Sequence, residues 1–356
     1  MNWLIWRQHR KQFLILGIIL AGFTAFIIPT GLHNWHVYRH VLSTCASAET
    51  CAELTGQLFR TPKDTLIYHF VQISMLVLPV LFGAFWGVPL IAREYAAGTN
   101  KLVWTQSISR RKWLSGKLLW ISAVTTILAS AFAALVTWWS HTFNAIGANR
   151  FEAMNFSTQG LVPAACTVFA LALGIFLGAW FKRTLLAIGV TMVTLIVVQM
   201  AMPTLVRPHY VAARTQHSSI QSQIEMRSDP LNPKLPSGNQ GAWVFSSKLV
   251  NSHGQTLDWH SPPHSCIRTD HPRVGGISGK TALAAGEERE ADSLIGVDGS
   301  QLISLRCINS LGYGWNIKYQ PAYRYWNFQR IEAGLYLALA ALPVAATYWL
   351  VLKRDA

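Results

Sequence analysis

Six apolar runs, each long enough or nearly so to cross a bilayer, constrain this chain more than any other feature. They lie at Phe13–Pro29, Ile67–Ala92, Leu114–Trp139, Leu161–Phe181, Leu185–Met202 and Ala333–Leu352. A helix needs about 20 residues to span a hydrocarbon core. In lipid the backbone must satisfy its own hydrogen bonds, so such runs fold as helices. Only 13% of the 356 residues are charged, against about 25% in soluble domains. The net charge of +14 does not call for nucleic acid, because much of it flanks apolar runs, where orientation in a bilayer explains it. Arg7, Arg10 and Lys11 precede the first run in the manner of a signal peptide. No small-x-small cleavage site follows before His33, so the run reads as a retained span.

Six spans place both termini on one side. With that side cytoplasmic, the inner segments hold Arg7, Arg10, Lys11, a basic loop at 93–113, Lys182, Arg183, Lys353 and Arg354, and the short outer loops hold Arg60, Lys63 and Arg150. Inner loops collect Lys and Arg, so the bias sets the expected orientation. The long Pro203–Arg330 segment carries no weight in this argument, since long domains translocate largely regardless of charge.

The cysteines fit the same map. Cys45 and Cys51 fall in the first outer loop, Cys266 and Cys307 in the large outer segment, and Cys166 alone in the fourth span. An oxidising compartment favours local pairing, Cys45–Cys51 and Cys266–Cys307, over free thiols or crossed bridges. Cys166 reads as a small packing residue.

The sequence divides into four parts. Residues 1–12 suit an interfacial helix, with Trp3 and Trp6 at headgroup level and Arg7 and Arg10 toward the cytosol; a frayed basic tail is the alternative. Residues 13–202 hold spans one to five. Residues 203–330 form a loop-rich extracellular domain of mixed α and β structure, with turn signals such as Asp229-Pro-Leu-Asn-Pro233 and strand-like runs at Ala242–Val250 and Gln301–Ile308. Its return stretch, Tyr319 to Arg330, is dense in aromatics and is expected along the outer interface. Residues 331–356 hold the sixth span and a cytoplasmic tail. The fold class is therefore an α-helical polytopic membrane protein with a large extracellular domain between spans five and six.

Within the spans, Pro79 and Pro343 interrupt helices, and Gly83, Gly87, Gly174 and Gly178 have the spacing that lets helices approach closely. Ordinary packing and bending during a conformational cycle both account for the prolines. Ionisable groups are scarce; His69 and Glu332 lie near outer ends and read as interfacial. A proton- or ion-coupled transporter carries midplane charges, so any transport here draws its energy elsewhere.

Several motifs fail as catalytic sites. Gly275-Gly-Ile-Ser-Gly-Lys-Thr281 resembles the end of a phosphate-binding loop, but Val274 stands where the pattern needs glycine. His33, His36 and His40 share a helical face, yet no Cys, Asp or Glu joins them at matching spacing, so an exposed face is expected rather than a metal site. The prolines in His260-Ser-Pro-Pro-His264 prevent helical ligand spacing. Glu287, Glu288, Glu290 and Asp292 read as a solvated face. No catalytic residue and no metal ligand is expected.

The basic loop carries the functional signal. Arg93-Glu94 is followed by Gly98-Thr99 and then by Thr105-Gln-Ser-Ile-Ser-Arg110. This arrangement resembles the membrane subunit, or permease, of a type 2 ABC exporter. Trp6-Arg-Gln-His-Arg10, Tyr319-Gln-Pro, Trp326-Asn-Phe-Gln329 and Ile331-Glu332 resemble an actinobacterial-type subgroup of it. Many members have proline near position 106, where this chain has Gln106.

The resemblance implies a coupling helix in the loop between spans two and three, docked on a separate cytosolic ATPase subunit. Carried over, Arg93, Glu94, Gly98, Thr99, Trp104, Ser109, Arg110 and Arg111 form the docking region. The residue types agree with that role. Gly98 can end a helix, Ser109 can cap one starting at Arg110, and Arg110 and Arg111 can pair with carboxylates. A lipid-binding positive anchor is the competing account of the loop.

The resemblance further implies a second copy of the permease, a place in the bacterial plasma membrane, and ATP and Mg on the partner subunit with no cofactor on this chain. An amphipathic drug, antibiotic peptide or lipid-like cargo suits spans rich in Phe, Trp, Leu and Met, and points to multidrug efflux or antibiotic resistance. A sensor or immunity protein whose extracellular domain binds a ligand is the first alternative. A membrane enzyme with an outer histidine site is the second.

Overall fold

All six apolar runs fold as helices in the computed structural model, which describes residues 2–44, 61–96, 110–145, 149–220, 241–258, 262–268, 294–297 and 301–354. Among the described residues, six helices are long and apolar enough to cross a membrane. The first, α1 (Asn2–Thr44), is unbroken, with Pro29 inside it and no interruption between residues 12 and 13. Good helix formers such as Gln8, Arg10, Lys11 and Gln12 bridge that point. His33, His36 and His40 are exposed on its last turns.

The second span is α2 (Pro62–Leu81), continuing through a π-helical turn (Phe82–Gly87) into α3 (Val88–Ala96). Pro62 opens α2, where a missing N–H costs nothing, and Thr61 caps it by accepting from the Asp64 N–H at 3.3 Å. The π turn follows Pro79, which has no N–H to give. The Phe82 N–H reaches the carbonyls of both Leu78 and Pro79 there.

The other described helices of this unit are α4 (Arg110–Ala145), the short α5 (Ala153–Thr158), α6 (Val162–Phe181), α7 (Thr184–Ala201) and α9 (Tyr325–Trp349). A π segment (Met202–Val206) and a 3₁₀ turn (Arg207–His209) extend α7. The helix numbered α8 belongs to the second unit. At the centre stands α6, which packs against α2, α3, α4, α7 and α9. By contrast α7 leaves Leu185, Val193 and Met200 exposed, and α1 leaves Leu14, Ile18 and Ile19 exposed.

The chain forms two compact units, Met1–Val211 with Tyr323–Ala356, and Ala212–Ala322. The second unit is shorter at both ends than the 203–330 segment read from the sequence. The π and 3₁₀ turns keep 202–211 with the helices, and buried Tyr325 and Phe328 keep the return stretch there. That stretch is divided: Tyr323 and Trp326 are exposed, while Tyr325 and Phe328 are core.

Two three-stranded antiparallel sheets build the second unit. One has the order β1 (Arg214–Ser219), β6 (Gly314–Gln320), β2 (Trp243–Val250), with a bulge between Val244 and Ser246. The other has the order β3 (Ile267–Arg268), β5 (Gln301–Ser304), β4 (Leu294–Val297). The Gln301–Ile308 run does not stay extended. Ser304 ends β5 and caps α8 (Leu305–Ser310), its hydroxyl accepting from the Cys307 N–H at 3.4 Å.

Leu249, Ile303, Ile308, Trp315 and Ile317 form the core beside Cys266. A disulfide joins Cys266 to Cys307 across a sequence separation of 41. Closing a loop of 41 residues removes unfolded-chain entropy worth about 4 kcal/mol. Cys307→Ser is expected to destabilise this unit by up to that amount, read as a drop in the urea midpoint of its protease resistance, with the six-helix unit unchanged. Cys45 and Cys51 lie outside the described residues.

Candidate functional site

Chain alternation gives the helical unit two distinct ends. At the basic end, α3 is described as far as Ala96 and α4 from Arg110, and 97–109 lie outside the described residues. Arg93 is exposed in the last turn of α3, and Arg111 is exposed in the first turn of α4. Glu94 and Arg110 occupy helical positions at these two ends. Gly98, Thr99, Trp104 and Ser109 lie outside the described residues. Trp3, Trp6, Arg7 and Arg10 lie in the first turns of α1.

The turn between α6 and α7 meets the same place. Lys182 takes a left-handed conformation at the C-cap of α6 (φ 53°) and sends its N–H to the Gly178 carbonyl at 3.2 Å. Its ammonium lies 5.0 Å from the centre of the Tyr95 ring, one residue from the end of α3. Tyr348 of α9 donates its hydroxyl to Ser115 Oγ at 3.0 Å in the second turn of α4. Helices α3, α4, α6 and α9 are thus all tied together beside the basic loop.

From there a glycine seam runs into the membrane unit. A Cβ on Gly83 would stand 2.6 Å from the Ala170 carbonyl oxygen, one on Gly87 2.8 Å from that of Leu171, and one on Gly178 2.5 Å from that of Val88. One on Gly174 would collide with the Gly83 carbonyl. The four glycines singled out by spacing therefore face one another, backbone on backbone. Phe82, Trp86, Leu90, Ile91, Leu171 and Ile175 pack alongside.

The opposite end holds a buried polar cluster. Arg207 and Glu332 are both 0% exposed. Arg207 Nε donates to Glu332 Oε2 at 2.9 Å and Nη2 to Oε1 at 3.0 Å, a two-pronged pair. Nη2 also donates to Ser157 Oγ at 3.0 Å, and the guanidinium lies 4.0 Å from the centre of the Phe156 ring. Tyr210 donates to Glu332 Oε2 at 3.1 Å; burial first, then the Glu332 charge, pushes its phenol above the usual range and keeps that proton in place.

Around this cluster, Gln329 of α9 accepts at Oε1 from the Leu161 and Val162 N–H groups, at 3.0 and 3.1 Å, and so caps α6 from a distant helix. Gly160 (φ +73°) lets the chain turn there, because a Cβ would strike Gln329. Asn155 Oδ1 accepts from Tyr68 at 2.6 Å and also from Gln72.

Glu332, read from sequence as interfacial, is instead enclosed, because Arg207 neutralises it. Arg207, Ser157 and Tyr210 had no signal of their own: each looks like an ordinary loop residue until the fold brings α5, α7 and α9 together. Cys166 is a buried free thiol, and Gln199 Nε2 approaches its sulfur at 3.7 Å. Among the described residues no group of three or more His, Cys, Asp or Glu is placed to hold a metal.

A family model described as "ABC-2 membrane transporter related" matches residues 17–207, more than half of the chain. The chain belongs to the ABC-2 membrane transporter related family. Neither a curated protein nor a solved structure matches it. The ABC-2 match begins inside α1 and ends at Arg207, so it takes in the basic loop, the glycine seam and the first half of the buried ion pair. The protein is thus a multi-pass component of an ABC transporter, with an antiparallel sheet region inserted after its fifth span.

Proposed function

We propose that this chain is the permease of an ATP-driven exporter, which moves an amphipathic drug, antibiotic peptide or lipid-like cargo outward using a separate ATPase. It has no ATPase site of its own and works as a pair of permeases in the plasma membrane of a bacterium. Both termini and the basic loop face the cytoplasm, and the inserted unit faces outside. The observation that carries the reading is the junction at the basic end. The loop most suited to dock a partner leaves α3 directly beside the Lys182 turn, and α3 is locked to α6 by the glycine seam. A push on residues 93–113 therefore moves the two central helices together. The exposed apolar faces of α1 and α7 offer area for a second copy or for lipid.

In this reading Glu94, Gly98, Thr99, Trp104, Ser109 and the basic residues Arg93, Arg110 and Arg111 meet the ATPase. The test is purification in mild detergent from the native membrane. Wild type is expected to retain an ATPase, and Glu94→Ala and Arg110→Glu to lower the retained amount at least about tenfold, equivalent to about 1.4 kcal/mol of docking energy. A membrane unit that stays intact yet never carries an ATPase would overturn the proposal and direct work to the inserted unit as a ligand sensor.

A further inference from the structure

A cleft of about 380 Å³ opens between α1, α2 and α4 at the end of the bundle away from the basic loop. Two helical stripes form its walls. Phe26, Thr30, His33 and Asn34 follow one another along α1, and Lys63, Asp64 and Ile67 along α2. The helices run in opposite directions, so their polar ends coincide: His33 and Asn34 stand with Lys63 and Asp64, where α1 is ending and α2 beginning. Further along the stripes the lining becomes Phe26, Pro29 and Ile67, and Phe143 of α4 forms the third side. Phe26 and Phe23 reach across to Phe70 with ring centroids 6.2 and 6.1 Å apart. The cleft is charged at one end and apolar at the other, as an amphiphile lying in a leaflet is.

The two polar groups of the α1 stripe differ. Thr30 is already satisfied, donating to Phe26 and Ile27 carbonyls at 2.9 and 3.1 Å and accepting from Trp139 Nε1 at 3.1 Å. Asn34 is 9% exposed and lines the cleft, so its amide is the neutral polar group of the stripe that an occupant can reach.

We infer that this cleft binds one zwitterionic phospholipid of the surrounding leaflet. Lys63 meets the phosphate, with Asn34 donating to a phosphate or ester oxygen. Asp64 meets the headgroup ammonium, and one acyl chain lies along Phe26, Ile67 and Phe143. The adjacency of Lys63 and Asp64 selects a zwitterion over a purely anionic headgroup, because an anion alone would leave Asp64 facing like charge. The site is independent of whether the chain exports anything.

The full chain in detergent is titrated with phosphatidylethanolamine, phosphatidylglycerol and diacylglycerol, and bound lipid is counted by native mass spectrometry. Phosphatidylethanolamine is expected to bind at least about tenfold more tightly than diacylglycerol. Asp64→Asn is expected to abolish the preference over phosphatidylglycerol while binding persists. Asn34→Leu should weaken both lipids, and Arg330→Ala, an exposed cation elsewhere at this end, should change neither. A photocrosslinker at Phe26 in the otherwise native chain gives a reading free of any folding defect in these variants, and is expected to capture the same lipid. Equal binding of all three lipids, a preference that survives both Asn34→Leu and Asp64→Asn, or a crosslink to a second copy of the chain instead of lipid would overturn the inference.

Discussion

Gly174→Leu is expected to leave almost no folded protein, whereas Gly189→Leu, in the next span, is expected to express normally. The two residues look alike in sequence, each a glycine in an apolar run. They differ in what a side chain would meet. A Cβ at Gly174 lands on the Gly83 carbonyl oxygen, with Val88 N at 3.2 Å, while nothing lies within 4 Å of the corresponding position at Gly189. Backbone cannot step aside as a side-chain tip can, so α6 must move away from the π turn and α3. That motion would open the contacts at Gly83, Gly87 and Gly178 together.

Graded substitutions make the argument quantitative. A single added methyl in a packed interior costs about 1–3 kcal/mol, so Gly174→Ala and Gly83→Ala should lower the apparent melting temperature clearly. Gly189→Ala should leave it unchanged or raise it, since alanine is favoured over glycine in a helix by about 1 kcal/mol. Thermal stability in detergent, followed by size-exclusion chromatography, separates the two classes. Equal effects at Gly174 and Gly189 would mean that α3 and α6 are not in backbone contact.

The seam was legible in the sequence and the cluster at the other end was not, for a physical reason. Helical periodicity and glycine spacing are local properties. The six spans and the pairing surface of Gly174 and Gly178 follow from neighbours within about seven residues. The clamp depends on separations no window contains. Arg207 and Glu332 are 125 residues apart, and Gln329 caps a helix 168 residues before it. Glu332 alone looks like a charge at a helix end that turns to water. Only the return of α9 beside the α7 extension encloses it. The Gln301–Ile308 run failed differently: its apolar alternation favoured a strand, but a local cap at Ser304 started a helix instead.

Arg207→Ala is expected to destabilise the helical unit by about 3–5 kcal/mol, because it strands the Glu332 carboxylate in a dry site. Ser157 and Tyr210 cannot compensate; Tyr210 donates one hydrogen bond to Glu332, and Ser157 bonds only Arg207 among the described contacts. Glu332→Gln should be milder than Arg207→Ala, since a neutral amide keeps an oxygen for the guanidinium but leaves its charge unpaired. The double variant Arg207→Met, Glu332→Leu separates two roles for the pair. A buried ion pair replaced by apolar groups of similar size is often neutral or stabilising, so the double variant should recover most of the stability lost by either single change. The pair holds the two segments that lead into and out of the inserted unit, 207–210 and 329–332, against each other. If its value were stability alone, the double variant would also recover activity. An alternating-access cycle instead needs a contact that can break and re-form, and charges that water can solvate suit this better than a permanent apolar seal. Restored melting temperature with transport still impaired is therefore the expected result, read by thermal unfolding and by efflux from the same reconstituted vesicles.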